Sequence, residues 1–184
     1  CSPQQRTLTL TMTVPFSQAC ENNKHPILAH LQNVFKAGST VLEIGSRTAQ
    51  HVTFFAEMMP SVRWQPTDIA ENMPILVEAL AACRFANIAP PVMLDVTMNP
   101  WPLDAMVTDT FDGVFSVEAT CHAEHKIDAL REYARVLRPG GRLVIVDGFE
   151  VDRVLHDHLP VRTAMQSLPV PVYAPRSDLY QKNS

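Results

Sequence analysis

The stretch Thr40-Val41-Leu42-Glu43-Ile44-Gly45 is a short apolar run that ends in an acidic residue, one spacer and a glycine. A run of this length closed by glycine is typical of a buried strand. Residues 48–59 then have helical composition and end at Pro60. A strand, a glycine turn and a helix form the first half of a βαβ unit, so we expect a parallel sheet around this stretch.

The same alternation extends in both directions. Before the stretch, apolar residues at three-to-four spacing predict a helix over residues 16–35, in two parts broken before Pro26. After it, strands are predicted at 62–65, 91–94, 111–117 and 142–146, and the helix before the last of them ends at Pro139-Gly140-Gly141. The pattern predicts an α/β fold, a doubly wound and mostly parallel Rossmann-like sheet in three α/β/α layers.

The two ends of the chain are less regular than its middle. Residues 1–15 are rich in threonine and predict an extended lead-in, and residues 16–150 form the predicted domain. Residues 151–184 predict a C-terminal cap or tail. No sixth or seventh strand is visible there, which would leave a sheet edge open to pairing with a second copy of the chain.

Composition excludes some classes of function. The 184 residues suit one domain, and a formal net charge of -4 argues against an extended nucleic-acid surface. No apolar run approaches the roughly 18 residues of a membrane span. The four cysteines form no CxxC pair, which predicts reduced thiols in a cytoplasmic protein, with Cys121 a buried thiol rather than a nucleophile.

Acidic residues recur where the predicted strands end. Glu43 closes the first strand, Asp68 follows the second, Asp95 ends the third and Glu118 follows the fourth. In open α/β sheets, ligands bind beyond the carboxyl ends of the strands. Asp68 comes about 25 residues after the first turn, near the offset at which an acidic residue meets ribose hydroxyls in such folds. Each acid alone is more often a helix cap, but together they predict a nucleotide pocket.

Three motifs resemble class I S-adenosylmethionine-dependent methyltransferases: the stretch at 41–45, the strand motif at 111–116, and Arg135-Val136-Leu137-Arg138-Pro139-Gly140-Gly141-Arg142-Leu143. The resemblance covers roughly residues 16–150 and implies S-adenosyl-L-methionine as cofactor. Asp68 would hold the ribose, and Asp95 and Val96 would flank the adenine. The cofactor-binding residues implied are Glu43, Gly45, Ser46, Arg47, Asp68, Asp95, Val96 and Val117.

The two halves of the chain resemble different relatives. The segments at 15–24, 64–68 and 94–97 are similar to a little-characterised family of small methyltransferase-like proteins. The segment at 117–123 resembles sterol- and tocopherol-type methyltransferases, which implies a small acceptor and favours a lipophilic one. Glu118 and His122 are the implied catalytic residues, placed to help a proton leave the acceptor, and residues 149–175 would cap its pocket.

The resemblance fails within the first turn. The family has glycines at the positions of Arg47 and Ala49. If the backbone there needs a positive φ, a side chain costs about 1–3 kcal/mol and weakens cofactor binding. A non-catalytic methyltransferase-like binding or scaffold module is therefore the alternative hypothesis, and an NAD-dependent oxidoreductase is a distant third. Histidines at 122, 125, 156 and 158 lack a third ligand at zinc spacing, so no metal site is predicted.

Overall fold

The computed structural model describes residues 15–101 and 110–147, together with the backbone of residues 172–173. Four helices alternate with the strands, and a short 3-10 turn follows the fourth strand. The elements are α1 (Gln18–Val34), β1 (Thr40–Ile44), α2 (Gln50–Met58), β2 (Arg63–Asp68), α3 (Met73–Ala81), β3 (Val92–Met93), β4 (Phe111–Val117), the 3-10 turn (Thr120–His122), α4 (Lys126–Val136), β5 (Leu137–Val146) and β6 (Val172–Tyr173).

The strands form one sheet in the order β3-β2-β1-β4-β5-β6, and every pair of neighbours is parallel. The chain moves outward from β1 to β3 and then returns to the other side of β1 with β4. The strand order therefore reverses between β1 and β4, which is where open α/β sheets bind ligands. The predicted doubly wound parallel sheet is confirmed.

Helices cover both faces of the sheet. On one face, α1 and α2 pack around Trp64 and Phe115, with Leu76 of α3 in the same cluster. On the other face, α4 packs with Leu130 and Tyr133 against alternate residues of β1, β4 and β5. Because successive strand residues point to opposite faces, Val41 joins the first cluster and Leu42 the second. The three-layer prediction is confirmed.

The prediction that α1 breaks before Pro26 is wrong, because α1 runs through that proline. A proline at this position removes one hydrogen bond, the bond to the Asn22 carbonyl. Asn22 is exposed, so water can donate a hydrogen bond to its carbonyl instead. Ser17 caps the helix by accepting from the Cys20 amide at 3.3 Å, and Ile27, Leu28 and Leu31 are buried. Capping and burial together outweigh the lost bond.

The fifth strand begins earlier than the sequence indicates. α4 ends at Val136, and β5 starts directly at Leu137, with a register shift that opposes Leu137 to Phe111 and Arg142 to Gly113. Residues 138–141 form the irregularity, and Gly140 has a φ of 81°. The Pro-Gly-Gly sequence therefore lies inside an irregular strand, whereas the pattern places it between a helix and a strand.

The expectation that the sheet lacks a sixth strand is wrong, since β6 pairs with Leu143 and Val144 of β5. A strand of two residues is too short to show a periodic pattern. The rest of the predicted cap or tail at 151–184 and the lead-in at 1–14 lie outside the described residues, as do His156 and His158. Among the helices of the described ranges, none has both the length and the apolar character to cross a membrane.

Candidate functional site

The turns after β1 and β4 meet at the carboxyl edge of the sheet, where the strand order reverses. Gly45 has a φ of 76°, and a Cβ added there would lie 3.0 Å from the Ala119 Cβ. The amides of Gly45 and Ser46 both donate to the Thr67 carbonyl, at 3.0 and 2.9 Å. Any residue larger than glycine at position 45 would therefore push apart the two turns that border the crevice.

Arg47 and Ala49 both adopt the backbone conformation that favours glycine. Their φ angles are 31° and 58°, so the condition under which the sequence predicts strain is met. The Ala49 methyl is buried at 1% exposure, whereas Arg47 is exposed. The altered turn thus keeps a left-handed backbone at both substituted positions.

A buried polar network lies beneath this turn. Glu43 is only 2% exposed, and its carboxylate accepts from the Ser46 hydroxyl at 2.5 Å. The Thr67 amide donates to Ser46 Oγ at 3.2 Å, and the Thr67 hydroxyl donates to the Glu43 carbonyl at 2.6 Å. Burial raises the pKa of Glu43 to about 7, the Ser46 hydrogen bond opposes the rise, and the charge of Asp68 adds to it.

Asp68 ties the end of β2 to the same turn. It is 4% exposed, and its Oδ2 accepts from the Arg47 amide at 2.6 Å. Its Oδ1 accepts from the Ile69 amide and from the Asn72 side chain, each at 2.8 Å. A carboxylate has about four acceptor positions, so about one remains for a ribose hydroxyl while these three bonds persist.

Asp95 and Val96 lie beside Asp68, because the Leu94 amide donates to the Asp68 carbonyl at 2.8 Å. Asp95 Oδ1 accepts from both the amide and the hydroxyl of Thr97, at 2.8 and 2.7 Å, which closes a local turn. Val96 is buried at 8% exposure. The structure therefore brings together the predicted residues at the ends of β1, β2 and β3.

Residues at the start of α1 support the start of α2, a contact that the sequence analysis missed. The Ser17 amide donates to the Gln50 side chain at 2.6 Å, and Gln50 Nε2 donates back to the Ser17 carbonyl at 3.2 Å. His51 Nε2 lies 2.8 Å from Asn23 Oδ1. Burial lowers the pKa of His51 to about 4. The sequence signal that could have found these contacts was the presence of polar residues among the apolar positions of the two helices.

The predicted catalytic residues lie on the segment that follows β4. Glu118 has a φ of 49° and is exposed, and its amide donates to the Val146 carbonyl at 2.9 Å. Val117 is half-buried, and His122 is exposed at the end of the 3-10 turn. The turn is anchored by Thr120, whose hydroxyl oxygen lies 2.9 Å from those of both Ser116 and Tyr133.

Asp147 is a site residue that the sequence analysis missed. It follows β5 directly, and among the described residues neither of its carboxylate oxygens has solvent exposure or a hydrogen-bond partner. Burial raises the pKa of Asp147, and the nearby Thr120 hydroxyl and Cys121 amide oppose the rise, although neither meets the distance and angle of a hydrogen bond to the carboxylate. Glu118 raises it further, and His122 lowers it. Its position after an apolar strand, like that of Asp68, was the signal that could have found it.

Two other features of the described residues lie outside this arrangement. Cys121 is exposed, so the prediction of a buried thiol there is wrong, although partial burial still raises its pKa. A cavity of about 470 Å³ lies at the opposite edge, beside the start of β2, and includes Arg63, Arg84 and Phe85 in its lining. No group of three or more potential metal ligands occurs in the ranges that the structure describes.

Comparison with known proteins identifies the family. Residues 14–157 match the model of a family described as "Protein of unknown function (DUF938)". "Sterol methyltransferase-like 3" of Botryococcus braunii is 32% identical over 124 residues, which are 66% of this chain and 29% of that protein. A "tRNA U34 carboxymethyltransferase" of Methylococcus capsulatus is 32% identical over 123 residues, 65% of this chain and 36% of that protein. The chain thus spans about a third of the length of these relatives.

The fold comparison agrees. A solved S-adenosylmethionine-dependent methyltransferase of Aquifex aeolicus superposes with a TM-score of 0.61 at 16% identity, covering 82% of this chain and 81% of the other. At that identity the likeness shows the fold alone. The chain belongs to the family described as "Protein of unknown function (DUF938)", and its fold is that of class I S-adenosylmethionine-dependent methyltransferases. The methyltransferase relatives and structures imply S-adenosylmethionine as the cofactor.

Proposed function

We propose that the chain transfers the methyl group of S-adenosylmethionine to a small, lipophilic acceptor at the carboxyl edge of β1 and β4. The observation that carries the proposal is the turn after β1. Although Arg47 and Ala49 replace glycines, the backbone keeps positive φ angles at both, and Asp68 accepts the Arg47 amide across the turn. These positive φ angles and this hydrogen bond support a turn that still accepts the cofactor despite the change of sequence.

The cofactor supplies a methyl group that its sulfonium makes electrophilic. The protein residues bind the reactants, align them and exclude water. The described residues fit that task, because Gly45 is exposed at the crevice and Asp68 keeps about one acceptor position for the ribose. Asp95 and Val96 would border the adenine, and Glu43, Ser46 and Val117 would border the methionine end.

Glu118 and His122 are proposed to act on the acceptor. Both are exposed on the short segment that follows β4, beside the turn after β1. An acceptor hydroxyl or ammonium must lose a proton when it is methylated, and either side chain can accept one. A small acceptor is favoured over a nucleic acid because the chain carries a net charge of -4 and this edge holds several carboxylates.

A non-catalytic methyltransferase-like module is the second candidate. It is favoured by the same turn, since Arg47 holds a φ of 31° and Asp68 already accepts three hydrogen bonds. If Arg47 must move or Asp68 must release a partner, cofactor affinity falls by the free energy of that rearrangement. The fold would then serve as a scaffold or a weak nucleotide sensor.

Thermal unfolding with and without S-adenosylmethionine separates the two functions. Cofactor at 100 times its Kd adds about 2.7 kcal/mol of stability to a protein that binds it. Wild type is compared with the double variant Arg47→Gly, Ala49→Gly. Similar stabilisation of both supports the enzyme, whereas stabilisation of the variant alone shows a degenerate pocket. No stabilisation of either folded protein by millimolar cofactor contradicts the proposed function.

A further inference from the structure

We propose that Asp147 is an acceptor-binding residue and that the group it receives is a protonated amine. The inference rests on the proposed function and deepens it by naming the class of acceptor. Asp147 lies at the carboxyl end of β5, next to the segment that carries Glu118 and His122. It follows β5, beyond β4 in the sheet, whereas most of the predicted cofactor residues follow β1, β2 and β3.

The state of the Asp147 carboxylate points to a missing ligand. In the part of the chain that the structure describes, Asp147 Oδ1 and Oδ2 are the only buried carboxylate oxygens that lack a hydrogen-bond partner. A buried polar group without a partner is costly, and a buried charge without one is more so. Glu43 Oε2 and both carboxylate oxygens of Asp68 show the usual solution, since each accepts a hydrogen bond within the protein. Asp147 has the position of a residue that is completed by a ligand.

The charge around Asp147 points to a cationic ligand. The titratable groups that face Asp147 are Glu118, Cys121 and His122 from the segment after β4, and Tyr133 from α4. The nearby Lys126 is committed elsewhere, since its Nζ donates to the carbonyls of Cys121 and Ala123. Two carboxylates therefore face one histidine. A cationic group that donates hydrogen bonds offsets this excess, and an ammonium is the simplest such group.

Methyl transfer to the amine needs no reactant besides the amine and the cofactor. The bound ammonium gives one proton to the Asp147 carboxylate and becomes a neutral amine with a free electron pair. That pair forms the new nitrogen–carbon bond as the carbon–sulfur bond of the cofactor breaks, and its electrons remain on sulfur. S-adenosylhomocysteine and a methylated ammonium result, and the carboxylic acid returns its proton to solvent.

The test uses two probes of the same shape, butylamine and 1-butanol, with the full chain saturated with S-adenosylhomocysteine. Affinities are measured by ligand-observed NMR. We expect butylamine to bind wild type about tenfold more tightly than 1-butanol, as a charge-assisted pair implies. Asp147→Asn should reduce this preference to about twofold or less, while Glu124→Gln, an exposed acid on the same segment, should leave it unchanged.

Equal affinity for the two probes in wild type, or no binding of either up to its solubility limit, overturns the proposal. So does a preference that survives in Asp147→Asn. If Asp147→Asn does not fold, Asp147→Ser removes the same charge with a smaller side chain and takes its place. Binding of S-adenosylhomocysteine is measured first in every variant. Its absence in wild type counts against the proposed function, whereas its presence without an amine preference counts against the role of Asp147 alone.

Discussion

The turn after β1 and the carboxyl ends of β4 and β5 contain similar residues, but the hydrogen bonding of their acids differs. Each has a buried acid, Glu43 or Asp147, and each has a non-glycine residue at positive φ, Arg47 or Glu118. In the first turn the acid accepts a hydrogen bond from Ser46, whereas in the second region the carboxylate oxygens of Asp147 are buried without a described partner.

We infer that the turn after β1 is complete without a ligand, whereas the β4–β5 edge needs a ligand to satisfy Asp147. Because the first turn satisfies its own polar groups, it can keep its shape whether or not cofactor is bound. The β4–β5 edge gains more from a ligand, since the ligand would remove an unfavourable burial. Variants at the first turn should therefore change the stability of the free protein most, and variants at the second should mainly change ligand preference.

The largest effect is expected for Asp68→Asn. The amide can accept hydrogen bonds through one oxygen only, so either the Arg47 amide or the Ile69 and Asn72 donors lose their acceptor. We expect a loss of about 3 kcal/mol in the free energy of unfolding, measured by urea denaturation. Asp112→Asn at the opposite edge, where Asp112 accepts the Thr40 amide, is the control and should leave cofactor binding intact. A loss below about 0.5 kcal/mol for Asp68→Asn would refute this account of the turn.

Glu43→Gln should stabilise the protein at alkaline pH. The pKa of Glu43 is raised from 4.5 to about 7 on folding, so the contribution of Glu43 to stability is lost as pH rises between those values. The shift corresponds to about 3 kcal/mol, and glutamine does not titrate. Relative to wild type, the variant should gain stability from pH 5 to pH 8, as read from urea midpoints. A difference that does not change with pH would show that Glu43 is not a neutral-pH acid.

His51→Gln should have the opposite pH dependence. Burial lowers the pKa of His51 from 6.5 to about 4, so the contribution of His51 to stability is lost as pH falls through that window. Glutamine does not titrate, so the variant should not show this loss of up to about 3 kcal/mol in the free energy of unfolding at acid pH. Because the Glu43 and His51 contributions oppose each other, the wild-type stability should change less between pH 4.5 and 6.5 than that of either variant. The same urea series over pH measures this.

Much of the fold could be predicted because it depends on local pattern. Apolar runs and helical stripes identified five strands and the layers, and strand-end acids indicated the crevice. β6 could not be predicted, since two residues are too few to show a periodic pattern. The predicted break in α1 was wrong because burial of the helix outweighs the cost of Pro26. The polar contact of Asn23 with His51 depends on tertiary packing between two helices, which a single sequence does not display.

The smallest effects are expected at the two strained backbones. Glycine removes the steric cost at the φ of 31° at Arg47 and of 49° at Glu118, but it also gives the unfolded chain more freedom. We expect net gains of about 0.5–1 kcal/mol for Arg47→Gly and for Glu118→Gly in differential scanning calorimetry. Exposed Glu124→Gly should instead destabilise. Destabilisation by Arg47→Gly would mean that its side chain contributes to the turn.

Amide NMR mapping of S-adenosylhomocysteine binding tests the central claim most directly. With 15N-labelled wild type, we predict that the largest shifts occur at Gly45, Ser46, Arg47, Asp68 and Val96. The amides of Arg63 and Arg84, beside the cavity at the opposite edge, should stay unchanged. No shifts in the folded protein, or shifts confined to that cavity, would contradict the account of a cofactor site at the turn after β1.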